Sequence, residues 1–113
     1  MSRRRILQVN ELIKRELGKI ISQNIDLSKE VVATITRINT SNNLIQAKVY
    51  VSVIPQEKSK EVLSILNKKV FDIQQKLNRR LRMRPVPKII FVEEKETKKA
   101  QEIEKLLEEI KKN

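Results

Sequence analysis

The chain has 113 residues, a length for one compact domain, and its fifteen Ile, eleven Leu and ten Val supply a core without covalent staples. Cys and His are absent and Gly18 is the only glycine, which excludes disulfides, a thiolate nucleophile, Cys/His zinc ligation, an imidazole base and the glycine-rich phosphate loops. Twenty-five Lys and Arg against fourteen Asp and Glu leave a net charge of +11, so the chain reads as a strongly basic domain without catalytic equipment.

Residues 4–24 place Ile6, Val9, Ile13, Leu17, Ile20 and Ile21 at helical spacing, opposite Gln8, Glu11, Lys14, Arg15 and Lys19. Gly18 costs such a helix about 1 kcal/mol relative to alanine, and close packing against another element is the expected reason for it. Residues 31–38 are rich in β-branched side chains and predict a strand, followed by a polar loop over 39–43. Residues 44–54 predict a second strand, with Ile45, Ala47, Val49, Val51 and Val53 on one face and Gln46, Lys48, Tyr50 and Ser52 on the other. The short loop makes the two an antiparallel hairpin.

Pro55 ends that strand, and residues 57–82 carry Val62, Leu63, Leu66, Val70, Ile73, Leu77 and Leu81 at helical spacing. Arg84-Pro85 is the expected stop, because a residue before proline avoids the helical region. Residues 86–92 predict a third strand with Pro87 at its start or on an exposed side. Residues 93–113 are highly charged, yet Ala100, Ile103, Leu107 and Ile110 mark a tail helix. An α+β fold follows, a three-stranded sheet with helices on one face.

The charge is uneven. Residues 1–92 hold nineteen cations against seven acids, a net of +12, whereas residues 93–113 hold six against seven. Seven of the nine arginines fall in two clusters, Arg3, Arg4 and Arg5, and Arg79, Arg80, Arg82 and Arg84. Four arginines within six residues exceed what helix capping needs, so this surface is expected to bind a polyanion. Glu93-Glu94 and Glu108-Glu109 are not a catalytic pair, since adjacent side chains diverge and no second partner is supplied. Glu102, Glu104, Glu108 and Glu109 fit ion pairing with lysines along the tail.

Three segments together resemble the ribosome-binding factor A family of bacterial small-subunit assembly factors. They are Arg5-Ile6-Leu7-Gln8-Val9-Asn10-Glu11-Leu12-Ile13-Lys14-Arg15-Glu16-Leu17, then Leu44-Ile45-Gln46-Ala47-Lys48-Val49-Tyr50-Val51-Ser52-Val53, then Leu81-Arg82-Met83-Arg84-Pro85-Val86-Pro87-Lys88-Ile89-Ile90-Phe91. The resemblance implies a type II KH-like fold in the order α-β-β-α-kink-α-β, with a break near residues 69–72 in the long helix. It divides the chain into a KH-like ribosome-binding domain over 1–92 and a charged tail over 93–113. Where the family usually carries Ala-x-Gly at the kink, this chain has Lys69-Val70-Phe71, and Asn43 stands where the family favours Asp.

The resemblance further implies a non-catalytic factor that binds the immature 30S subunit and assists 16S rRNA maturation and 5′-end processing. The partners expected are the small subunit and its 16S precursor, with no cofactor, metal, membrane or small-molecule substrate, for a monomer in the cytoplasm. The opening residues fit that location, being amphipathic rather than a signal peptide's apolar run. Arg79, Arg80, Arg82, Arg84, Lys76 and Lys88 are the expected rRNA surface, extended by Lys68, Lys69, Arg3, Arg4, Arg5, Lys14 and Arg15, with Lys48 a lesser candidate. With Tyr50, Phe71 and Phe91 as the only aromatics, no stacking platform of the RRM kind is expected, and Tyr50 reads as a packing residue. Phosphate contacts and RNA shape are left to carry recognition, and the planar arginine fork suits phosphate. A sequence-nonspecific DNA-binding protein and a protein–protein adaptor are the alternatives consistent with the charge.

Overall fold

The computed structural model describes residues 3–95 as three α-helices and a three-stranded sheet. Helix α1 spans Arg3–Asn24, strands β1 and β2 span Val32–Thr40 and Gln46–Ile54, helices α2 and α3 span Ser59–Lys68 and Val70–Arg80, and β3 spans Lys88–Glu93. The strand order is β1-β2-β3, with β1 antiparallel and β3 parallel to β2. The expected tail helix lies outside the described residues.

One apolar cluster holds the layers together. Val9, Ile13, Leu17 and Ile20 of α1, Val62 and Leu66 of α2, and Ile73 and Leu77 of α3 meet Ala47, Val49, Val51 and Val53 of β2 and Ile89 and Phe91 of β3. Period-2 burial along the strands puts all three helices on one face of the sheet, as the α+β reading requires. The other face carries Arg37, Lys48, Tyr50, Ser52, Lys88 and Ile90, in alternation with the buried set.

The first strand runs two residues further than the hydrophobic pattern suggests. Between Ile35 and Arg37 the register slips, leaving Thr36 as the extra residue of a bulge. The slip changes phase, so Ile38 and Thr40 point into the core beyond it. The Thr40 hydroxyl, buried there, donates to Asn10 Oδ1 on α1 at 2.5 Å. The loop is correspondingly residues 41–45, and Leu44 belongs to it rather than to β2. Leu44 has φ 61°, a left-handed conformation, and its side chain is buried. Asn43 Oδ1 accepts from the Ile45 N–H at 3.1 Å, which an aspartate would also do.

The long helical stretch breaks at one residue. Lys69 has φ −101° and ψ 8°, and its N–H is shared between the Ile65 and Leu66 carbonyls, both at 3.2 Å. This bridge-region backbone is open to any L-residue, so the kink forms without glycine. Helix α3 then ends at Arg80, before the expected stop at Arg84. Leu81 turns extended, φ −93° and ψ 137°, to bury its side chain in the core. Arg84 Nη1 donates to the Leu81 and Met83 carbonyls, both at 2.7 Å, satisfying acceptors whose helical partners would be Pro85 and Pro87, which have no N–H to give.

Pro87 sits immediately before β3, buried. The outer side of this edge strand is closed by α3: Gln74 Nε2 donates to the Pro87 carbonyl at 3.2 Å, while Gln74 Oε1 accepts from the Ile89 N–H at 2.9 Å. A side-chain amide thus stands in for a neighbouring strand. Gly18 contradicts the packing expectation. A Cβ there would meet nothing within 4 Å, and α1 runs unbroken through it.

Candidate nucleic-acid interface

The expected basic residues separate into five places. Lys68 and Lys69 stand at the break between α2 and α3, Arg79 on the outer side of α3, and Arg82 just beyond its end; all four are exposed, and their side chains make no ion pair or hydrogen bond among the described residues. Arg15 and Arg80 lie at the seam between α1 and α3. Lys48 and Lys88 lie on the open sheet face, two registers apart on neighbouring strands. Lys14 lies on the other flank of α1, its Nζ 3.5 Å from the Thr36 carbonyl. Arg3, Arg4 and Arg5 are exposed in the first turn of α1.

Three members of the expected set serve the fold itself. Arg80 joins α3 to α1, with Nη1 3.2 Å from Glu16 Oε2 and Nη2 3.0 Å from Gln23 Oε1. Arg84 closes the end of α3, as described. Lys76 pairs with Asp72 one turn earlier, at 3.6 Å. Each of these side chains is held in place and offers fewer donors to a ligand.

Glu16 is the one acid inside this basic seam, with its side chain 16% exposed. The Arg80 hydrogen bond, with Lys19 and Arg15 at 3.7 and 3.8 Å, holds its carboxyl below the ordinary value of 4.5. Burial opposes the shift without overcoming it.

On the open face Arg37 lies over Tyr50, its guanidinium carbon 3.8 Å from the ring centroid. Arg37 Nε also meets Glu94 Oε2 at 2.9 Å, and the same oxygen accepts from the Thr36 hydroxyl at 2.8 Å. The Glu94 N–H continues the β3 ladder to the Val51 carbonyl. Glu94 is therefore a structural clasp across the sheet, and the Tyr50 ring is covered by a packing partner. Phe91 is buried, so Phe71, 74% exposed, is the aromatic that presents its face to solvent. Sequence reasoning missed it; an aromatic at a helical position off the Val70, Ile73 and Leu77 stripe was the available signal.

Among the described residues no group of three acidic side chains is arranged to hold a metal ion, and no helix is long and apolar enough to cross a membrane.

Comparison with known proteins places this architecture. The family model described as ribosome-binding factor A matches residues 5–107. A Prochlorococcus marinus ribosome-binding factor A is 36% identical over 110 residues, covering 95% of this chain and 85% of its own length. The solution structure of a Thermotoga maritima protein given the same family name superposes with a TM-score of 0.69 at 28% identity, covering 84% of this chain and 92% of that one. A homology model of Thermus thermophilus ribosome-binding factor A, fitted into a cryo-EM map of a complex with the 30S subunit, superposes with a TM-score of 0.62 at 25% identity, covering 74% of this chain and 88% of that one.

Proposed function

The chain belongs to the ribosome-binding factor A family, and from that premise we propose that it binds the small ribosomal subunit during assembly and assists maturation of 16S rRNA, including processing of its 5′ end. The observation that carries the reading is the Thermus relative fitted on a 30S subunit, which shares the fold of this chain over most of its length. The factor works by binding, as a cytoplasmic monomer without cofactor or catalysis. Its partners are the subunit and the 16S precursor.

The charge distribution supports the same reading. Lys68, Lys69, Arg79 and Arg82 provide unengaged cations along the break and outer side of α3, with Arg3 and Arg4 at the start of α1. Lys88 and Lys48 form a smaller basic area on the open sheet face. Cations of this kind neutralise phosphates and release counterions, which makes affinity high at low salt and independent of base sequence.

Sedimentation of the tagged protein with cell extract tests the proposal. Enrichment with free small subunits carrying unprocessed 16S precursor, and absence from 70S ribosomes, is the expected result. Protein left at the top of the gradient at low salt refutes it. Preferential capture by duplex DNA points to the DNA-binding alternative, and salt-insensitive association with protein alone to an adaptor.

A further inference from the structure

Helix α3 has a solvent face that the fold does not use. Ile73 and Leu77 turn inward, Gln74 closes the β3 edge, and Asp72 and Lys76 pair with each other. That leaves Phe71, Gln75 and Arg79 at i, i+4 and i+8, a row on one side of the helix with steps of about 6 Å. All three are exposed, and neither Gln75 nor Arg79 has a hydrogen-bond or ionic partner among the described residues. Lys68 and Lys69, equally unengaged, flank the start of the row at the break.

We propose that this row is a binding ridge for single-stranded RNA, in which an unpaired base stacks on Phe71, the Gln75 amide meets that base's edge, and Lys68, Lys69 and Arg79 hold the flanking phosphates. The inference rests on the reading of the chain as an rRNA-binding factor and names the form of RNA it takes. An aromatic ring among cations is what a single strand needs, because every base has a π-face and its backbone is anionic. A paired duplex keeps its bases stacked internally and cannot use the ring. The Asp72 carboxylate pairs with Lys76 one turn further on, at 3.6 Å, which offsets part of its repulsion toward the phosphates. The other two aromatic rings are withdrawn, Tyr50 under Arg37 and Phe91 in the core. Recognition here adds one stacked base, with its edge contact to Gln75, to a surface that otherwise reads only charge and shape.

The test is the Phe71→Leu variant, which keeps an apolar side chain at an exposed position and removes the ring. Anisotropy titrations use a labelled oligouridylate and a labelled, fully paired RNA hairpin at the same ionic strength. The expected result is a loss of roughly five- to hundredfold in oligouridylate affinity, with hairpin affinity and melting temperature unchanged. The Phe71 ring protons of the wild type are also expected to shift on adding oligouridylate. Unchanged oligouridylate affinity, or an equal loss for both RNAs, overturns the ridge. So does a loss of subunit association with oligouridylate affinity intact, which would assign Phe71 to a protein contact. If the wild type fails to sediment with small subunits, the functional reading fails; if it sediments and Phe71→Leu binds oligouridylate as tightly, only the ridge fails.

Discussion

Arg80 Nη1 lies 3.2 Å from Glu16 Oε2, so the arginine cluster at the end of α3 is pinned to α1 by one of its own members. The same guanidinium reaches Gln23 two turns further along α1. A side chain expected to face RNA is thereby part of the packing between two helices. Arg80→Met and Glu16→Gln should each lower stability, and the double variant should lose less than the sum of the two. Urea denaturation of the four proteins measures the coupling; strictly additive losses would show that the pair contributes nothing.

The same pair sets an acid dependence. The folded Glu16 carboxyl titrates below its ordinary 4.5 because Arg80 bonds its charged form. In that range the unfolded chain binds more protons than the folded one, so stability rises with pH. Glu16's contribution is complete above the ordinary value and is lost as pH falls through the lower folded one. The stability gap between wild type and Glu16→Gln should be flat near neutrality and shrink progressively below about pH 4.5. A gap that widened on acidification would contradict this sign.

The engaged and unengaged arginines should separate in salt titrations of RNA binding. If about six phosphates are neutralised, log affinity against log salt slopes at about −4 to −5. Replacing Arg79 and Arg82 together with Gln should reduce that slope by about 1.5 to 2 with no loss of stability. Arg84→Gln removes the bonds to the Leu81 and Met83 carbonyls, so it should lower the melting temperature and leave the slope nearly unchanged. An Arg84 variant with the larger slope change would reverse the assignment.

Gly18→Ala should stabilise the protein by about 0.5–1 kcal/mol. The new methyl meets nothing within 4 Å, and helical backbone is already imposed there. Thermal denaturation decides it, a destabilised variant being the contrary outcome.

Gln74→Ala should cost about 1–3 kcal/mol, because the Ile89 N–H and Pro87 carbonyl lose their partner at the edge of β3. Hydrogen exchange at Ile89 should accelerate beyond what the global loss explains. Exchange that merely tracks global stability would show that the amide does not guard the edge.

Helix and strand types were legible because the apolar periods, 3.6 and 2, are written in the residues themselves. The three-stranded α+β architecture and the family followed from those periods and from three local motifs. Boundaries were not legible where a contact distant in sequence decides them. Thr36 becomes a bulge through Tyr50 and Glu94, and α3 ends when Leu81 finds the core. Leu44 enters the loop because its side chain is buried there in a left-handed conformation.

The basic surface divides in the same way. Net charge and its bias toward residues 1–92 are properties of composition, so the sequence alone determined the basic character of this part of the chain. Which cations remain available was decided only by the tertiary structure. Arg79 and Arg80 are neighbours in the chain, but successive helical side chains point about 100° apart. One consequently meets Glu16 across the α1–α3 seam while the other continues the row begun by Phe71 toward solvent.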